Sequence, residues 1–270
     1  MVGERARAEG GLSVQRVLTL AALAVAGLAV GCGPAAQRED RAAFDDAFAA
    51  FRAGHWQRAS DGFTRYLRSS PAAPGRAEVY YYRGQALVHL GRRLEAQADF
   101  QRAIGAEARQ PILDFCRVAI GNLYYEEGND AKAIEWYAQA VREPVAQLPM
   151  ESLALRLAVS LQRLGRWQSA DKYLEFVIAN FPATAAAAEA RRRIHADSFT
   201  VQTGAYATAA AAQQEVSRLR AAGFQPRMVP AGQGGRTLQA VQVGRVRTYA
   251  EAQALAQRLT SAGFATLVVP

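Results

Sequence analysis

A period of 37 residues runs through the middle of this 270-residue chain, from Asp40 to His195. Four kinds of position recur in each of the four copies: a small residue, a glycine, an alanine and a large apolar residue. In the order of the copies they are Ala47, Gly84, Gly121 and Ala158; Gly54, Gly91, Gly128 and Gly165; Ala59, Ala96, Ala133 and Ala170; and Phe63, Phe100, Tyr137 and Leu174. Such a unit buries its apolar face only by stacking on its neighbours, so the sequence predicts a helical solenoid.

Each position has a physical role in a pair of helices. The small residue and the alanine let two helices approach closely, the glycine makes the turn between them, and the large residue packs on the neighbouring helix. The pattern resembles the tetratricopeptide repeat, with Pro71 and Pro182 at the expected ends of two copies. Repeats of that family have about 34 residues, so we expect the longer unit here to extend the turn between copies. Four repeats with a final capping helix over 183–194 would fill residues 40–195.

The resemblance to this repeat family also implies a binding surface. Such arrays commonly bind a peptide or a partner protein on the concave face formed by their first helices. The candidates for that face are Phe48, Tyr81, Gln85, Asn122, Tyr125 and Gln162. The alternative is that Phe48 and the tyrosines belong to the core. The pattern predicts a protein or peptide as the partner without naming it.

The last 73 residues repeat a second pattern, forty residues apart. Val201–Gly204 (VQTG) returns as Val241–Gly244 (VQVG), and Leu219–Phe224 (LRAAGF) returns as Leu259–Phe264 (LTSAGF). Each copy alternates as a strand, continues with a helix that ends at a glycine, and closes with a strand. The sequence therefore predicts a pseudo-symmetric βαββαβ module over residues 198–270.

The two helices of this module each carry one apolar line. The first line is Ala212, Val216 and Leu219; the second is Ala252, Leu255, Ala256 and Leu259, in a helix that Thr248 and Glu251 start as a capping box. Two such helices cover one face of a four-stranded sheet, so the other face is open. By strand alternation the open face carries Thr200, Gln202, Leu238, Ala240 and Gln242.

Residues 199–206 and 241–246, together with the two AGF helix ends, resemble the SPOR domain. The resemblance implies a ferredoxin-like or RNP-like antiparallel sheet backed by two helices, so the whole chain is expected to be an α+β multidomain protein. It also implies binding of septal peptidoglycan glycan strands that amidases have stripped of stem peptides. Gln202 matches the family's strand glutamine, whereas Ala205, Leu238 and Ala240 stand where the family often has a polar residue, an aromatic residue and an arginine.

The resemblance assigns candidate glycan contacts to the open face and its edges. They are Gln202, Thr200, Gln242, Leu238, Ala240 and Arg236, with Arg227 and Arg245 as further candidates at the edges. Leu238 and Ala240 weaken this expectation, because a ring stacked on a sugar face contributes strongly to carbohydrate binding.

The amino terminus resembles a bacterial lipoprotein signal over residues 1–31. Three arginines precede an apolar run, Val17–Val30, that ends just before Cys32. The resemblance implies cleavage before Cys32, lipid attachment to it and a linker over 32–39. Gly33 rather than an aspartate follows, which implies the outer membrane with the protein facing the periplasm. The alternative is an uncleaved inner-membrane anchor, because Val17–Gln37 carries no charge and approaches spanning length.

Candidate catalytic and metal-binding patterns are weak. His55, His89 and His195 are isolated and lack the close spacings of metal ligands, so we expect neither an enzyme nor a cofactor. The net charge is +8, but the basic residues are scattered rather than striped, which argues against nucleic acid as a partner.

Together these patterns favour a non-enzymatic lipoprotein of the cell envelope that binds denuded septal glycan, with the repeats as a protein-interaction scaffold. Cell division or wall remodelling is the expected process. The alternative is a repeat scaffold for outer-membrane or envelope assembly in which the SPOR-like module is degenerate.

Overall fold

The computed structural model describes residues 34–69, 75–106, 109–141, 148–233 and 236–270, with the side chains from residue 41 onward except those of Gln233 and Arg236. The predicted signal segment 1–31 and Cys32 lie outside the described residues. The chain divides into two compact units, Met1–Met150 and Glu151–Pro270. Within the described ranges, every helix is too short or too polar to span a membrane.

The described part of the first unit is helical. Its helices are α1 Pro34–Arg52, α2 Trp56–Ser69, α3 Arg76–His89, α4 Arg93–Gly105, α5 Ile112–Glu126 and α6 Asp130–Ala140. They pair as α1 with α2, α3 with α4 and α5 with α6, so each copy of the 37-residue pattern is one helical hairpin.

The second unit contains the fourth hairpin and the sheet module. Its elements are α7 Met150–Arg163, α8 Trp167–Asn180, α9 Ala185–Arg193, β1 Phe199–Tyr206, α10 Ala209–Ala221, β2 Pro226–Gln233, β3 Arg236–Val246, α11 Tyr249–Ser261 and β4 Leu267–Val269. The four strands form an antiparallel sheet in the order β2-β3-β1-β4. The predicted α+β class, a helical solenoid followed by a βαββαβ module, is confirmed.

The recurring glycines make the turns inside the hairpins, as predicted. Gly54, Gly91, Gly128 and Gly165 have φ values of +74°, +73°, +74° and +72°. This left-handed conformation costs any other L-residue about 1–2 kcal/mol, which explains why the same residue type returns at each turn. The recurring alanine and the large residue of each copy are completely buried.

In the second and third repeats, the small residue of the first helix lies beneath the large residue of the second helix. A Cβ placed on Gly121 would lie 2.5 Å from Cε1 of Tyr137, and one on Gly84 would lie 2.6 Å from Cε1 of Phe100. A side chain at either glycine would therefore displace a buried ring. The small residue and the large residue recur at a fixed distance in the sequence because they are in direct contact within one hairpin.

Both helices of the sheet module pack on the same face of the sheet. Val216 and Leu219 of α10 and Leu259 of α11 share a core with Val201 and Val241 of the central strands. Thr248 and Glu251 form the predicted capping box at the start of α11. Gly223 and Gly263 end the two helices with φ values of +85° and +84°, as expected.

The fourth repeat belongs to the same compact unit as the sheet. Trp167, the first residue of α8, is buried and packs against Phe199 of β1 and Ala252 of α11. Its indole N–H donates a hydrogen bond to the backbone oxygen of Arg247 at 3.1 Å. The repeat pattern placed a domain boundary at residues 195–198, whereas these contacts join the last hairpin to the sheet module.

Candidate functional site

A row of four side chains crosses the sheet on the face away from α10 and α11. Gln202 of β1 pairs directly with Gln242 of β3 on one side and with Leu267 of β4 on the other, and Gln242 pairs with Arg227 of β2. Directly paired residues of antiparallel strands share a face. The neighbouring residues Val201 and Val241 lie in the core under the helices, so this row lies on the open face.

The row is polar at its centre and carries a cation at one end. The Arg227 guanidinium donates from Nη2 to Oε1 of Gln242 at 3.2 Å. Gln202 and Gln242 are half-buried, and Leu267 is 58% exposed. Two amides, an arginine and an exposed aliphatic side chain thus form a shallow surface with donors, acceptors and apolar contact area.

A concavity of about 230 Å³ adjoins this row. Its lining residues are Ala196, Asp197, Ser198, Thr200, Arg227, Gln242, Arg245 and Pro270. Arg245 forms an ion pair with Asp197 and donates to the Ser198 hydroxyl at 3.1 Å. Hydrogen bonds from Ser198 and Arg245 lower the pKa of Asp197, so its carboxylate stays ionised and neutralises Arg245.

The candidate glycan contacts are not equally accessible. Ala240 is completely buried, so the expectation that it contacts a ligand is wrong: it lies in a central strand, paired with Ala205 on one side and Val229 on the other. Thr200 is 4% exposed, and it is one of the residues that line the concavity. Leu238 is half-buried. Arg236 begins β3 opposite Gln233, and its side chain lies outside the described part.

Comparison with known families decides which modules these are. A model of the SPOR domain matches residues 195–270, and tetratricopeptide-repeat models match residues 77–109, 116–143 and 151–184. The chain carries tetratricopeptide repeats followed by a C-terminal SPOR domain. SPOR domains bind peptidoglycan, and tetratricopeptide repeats mediate protein interactions.

Two solved structures each match a little more than half of this chain. A tetratricopeptide repeat protein from Parabacteroides merdae is 14% identical, with a TM-score of 0.50, over 57% of this chain and 58% of that one. MamA AMB-1 is 17% identical, with a TM-score of 0.48, over 58% of this chain and 80% of that one. At such identities the first likeness shows the fold alone. A search of curated proteins gives no significant match.

Two of the predicted groove residues of the repeats are buried. Gln162 is completely buried, and its Nε2 donates to the backbone oxygen of Arg193 at 3.0 Å, so its amide ties α7 to α9. Tyr81 is 8% exposed between Phe100 and Phe115, and burial raises the pKa of its phenol. The prediction that these two side chains line an accessible groove is therefore wrong.

The other groove candidates are partly exposed. Phe48 is half-buried and packs edge-on against Tyr82 with ring centroids 4.9 Å apart. Asn122 accepts a hydrogen bond from the Tyr137 hydroxyl at 2.8 Å, and Gln85 and Tyr125 are half-buried. Phe48 thus belongs to an aromatic cluster, as the core alternative expected, while the polar candidates keep some exposed surface.

Sequence reasoning gave little weight to Arg227 and overlooked Leu267. The strand alternation of β2 and β4 was readable, but the partners of these residues depend on which strands are neighbours and in what register. The sheet order places β2 and β4 at opposite edges, and this brings both residues into one row with the glutamines.

Proposed function

We propose that this protein binds peptidoglycan glycan strands stripped of their stem peptides through the open face of its SPOR domain. Binding is noncovalent and the protein is not an enzyme. The observation that carries the proposal is the row of Leu267, Gln202, Gln242 and Arg227 across an uncovered sheet face.

The chemistry of the row suits a sugar chain. The amides of Gln202 and Gln242 supply both donors and acceptors, which match hydroxyl and N-acetyl groups. Leu267 offers apolar area for a sugar ring face, in place of the aromatic ring that β3 lacks. A stem peptide would add bulk directly above such a shallow surface, so a stripped strand fits it better.

Pull-down of the full chain on isolated sacculi tests the proposal. Amidase-treated sacculi are expected to retain more protein than untreated ones. Gln202→Ala is expected to weaken binding about 3–10-fold, because it removes one or two hydrogen bonds from the centre of the row. Gln214→Ala, at an exposed position of α10 on the helical side, is the matched control and should bind normally. Equal failure on both kinds of sacculi would disprove glycan binding.

The proposal extends to location and process. A lipid on Cys32 would hold the protein at the outer membrane, facing the periplasm, where the SPOR domain reaches the wall during cell division or wall remodelling. A full-length fluorescent fusion is expected to concentrate at division sites, and its Cys32→Ala variant is expected to leave the outer-membrane fraction while still binding the wall. An inner-membrane anchor would instead leave the Cys32→Ala protein in the inner-membrane fraction.

A second candidate function rests on the lack of an aromatic ring at two positions of β3. Leu238 is half-buried and Ala240 is buried, so β3 offers no aromatic stacking platform at these positions. In this alternative the repeats act as a scaffold for envelope assembly and the SPOR domain is degenerate. A uniform peripheral signal of the fusion, together with failed sacculus binding, would favour it.

A further inference from the structure

Arg227 carries an uncompensated positive charge on the open face. Arg245, the other arginine of the concavity, is neutralised by Asp197. For Arg227, the structure records within the described residues a hydrogen bond to the neutral amide of Gln242 and no ion pair. The side chain is exposed, so it meets any ligand that lies along the row.

The contact between Arg227 and Gln242 also orients the amide. Oε1 of Gln242 accepts from Arg227, so Nε2 of Gln242 points away from the guanidinium and keeps its two N–H groups for another acceptor. The guanidinium itself has five donors, of which this contact uses one. Both residues line the 230 Å³ concavity together with Thr200. Donors with a net positive charge around a concavity favour an anion, and a planar guanidinium is best matched by a carboxylate.

We propose that Arg227 and the Gln242 amide bind the free lactyl carboxylate of muramic acid, and that this contact distinguishes stripped from unstripped glycan. The inference rests on the proposed function and names its determinant. An unstripped muramic acid carries its stem peptide through an amide at the lactyl carbonyl, which is neutral. Hydrolysis of that amide releases the peptide as an amine and leaves a carboxylate with one negative charge.

The contact therefore depends on the one group that stripping changes, the lactyl carbonyl, which is a neutral amide before stripping and a carboxylate after it. Charge-assisted hydrogen bonds contribute more than neutral ones, and their loss is expected to weaken binding about tenfold or more. Because Arg227 is exposed, salt screens the attraction, so the preference for stripped glycan falls as ionic strength rises.

The test compares one glycan in two chemical forms. Stripped glycan strands are used as prepared, or after their lactyl carboxylates have been converted to primary amides. The full chain and its Arg227→Gln variant are measured on both forms, at low and at high salt. Arg220→Gln, at an exposed position in the last turn of α10, is the matched control for loss of one surface charge.

The wild-type protein and Arg220→Gln are expected to bind the free-acid form about tenfold more tightly than the amide form. Arg227→Gln is expected to lose that preference while binding the amide form as the wild type does. Equal wild-type binding to both forms would overturn the carboxylate contact and leave glycan binding standing. Equal weakening of Arg227→Gln on both forms would also overturn it. Failure of the wild type on both forms would refute the proposed function itself.

Discussion

Two tryptophans occupy the same position in the first and the fourth repeat, three 37-residue periods apart, and they pack against different kinds of structure. Trp56 is half-buried and stacks on His89 at the end of α3, with ring centroids 3.9 Å apart. Trp167 is buried against Phe199 of the sheet and donates to the backbone of Arg247. One repeat position thus contacts the next repeat in the first case and the SPOR domain in the second.

The comparison shows how a solenoid can end on a different fold. A terminal repeat has an apolar surface that a further repeat would otherwise cover. Here the sheet module covers it, with β1 and α11 in contact with the start of α8. Arg93, which takes the same position in the second repeat, also contacts the next hairpin, donating to the backbone oxygen of Leu123 at 2.9 Å. In the first, second and fourth repeats, this position therefore contacts the structure that follows the repeat along the chain.

The largest expected effect comes from removing the contact with the SPOR domain. Trp167→Ala should lower the free energy of unfolding of the second unit by about 3–5 kcal/mol, because it empties a buried aromatic site. Trp56→Ala is the matched control and should cost the first unit about 1–2 kcal/mol, since its ring is only half-buried. Guanidinium denaturation of the full chain, followed by circular dichroism, measures both. Equal losses would contradict the different roles of the two rings.

A second substitution tests the same junction from the turn before Trp167. Gly91 and Gly165 have the same left-handed backbone, and alanine at either should cost about 1–2 kcal/mol. A Cβ on Gly91 would meet nothing within 4 Å, whereas one on Gly165 would lie 3.0 Å from Cγ and 3.2 Å from the backbone oxygen of Arg247. Gly165→Ala is therefore expected to cost about 1 kcal/mol more than Gly91→Ala.

Thermal unfolding of the two alanine variants checks this difference. Arg247→Ala in the Gly165→Ala background should recover part of the extra loss, because it removes the Cγ contact but leaves the backbone oxygen in place. If both glycine variants unfold at the same temperature, the close approach of Arg247 has no energetic consequence.

The smallest expected effect is a pH dependence confined to the first repeat junction. Burial under Trp56 lowers the pKa of His89 from its ordinary value of 6.5. The unfolded chain then binds a proton at a higher pH than the folded chain, so folding stability falls as the pH drops below about 6.5 and levels off below the folded pKa. The apolar partners of Trp167 do not titrate. Unfolding of the first unit at pH 5.5 and 7.5 measures the effect, and His89→Phe should reduce it.

Much of the fold could be predicted from the chain alone. The 37-residue spacing gave the hairpins, because a left-handed turn accepts glycine at little cost and a buried ring leaves no room for a side chain at Gly84 or Gly121. The pattern that returns after forty residues predicted the sheet module and its two helices. The alternation of β1 and β3 also placed Gln202 and Gln242 on one face, and the structure pairs them directly.

The exposure of a side chain was harder to predict than the face to which it points. Ala240 points to the open face by alternation, yet it is completely buried. Gln162 falls at a groove position by repeat register, yet its amide is turned to Arg193 of the capping helix. Local spacing says which way a side chain points, whereas accessibility depends on residues distant in sequence.

The sequence by itself determined the repeat, its turns, the two helices of the SPOR domain and the polar pair at the centre of its open face. These depend on short-range spacing, which backbone geometry converts directly into direction. Only the tertiary structure decided that Arg227 and Leu267 complete the row, that Asp197 neutralises Arg245, and that Trp167 joins the last repeat to the sheet. These contacts join residues from separate elements, and strand order, register and packing fix them rather than local sequence.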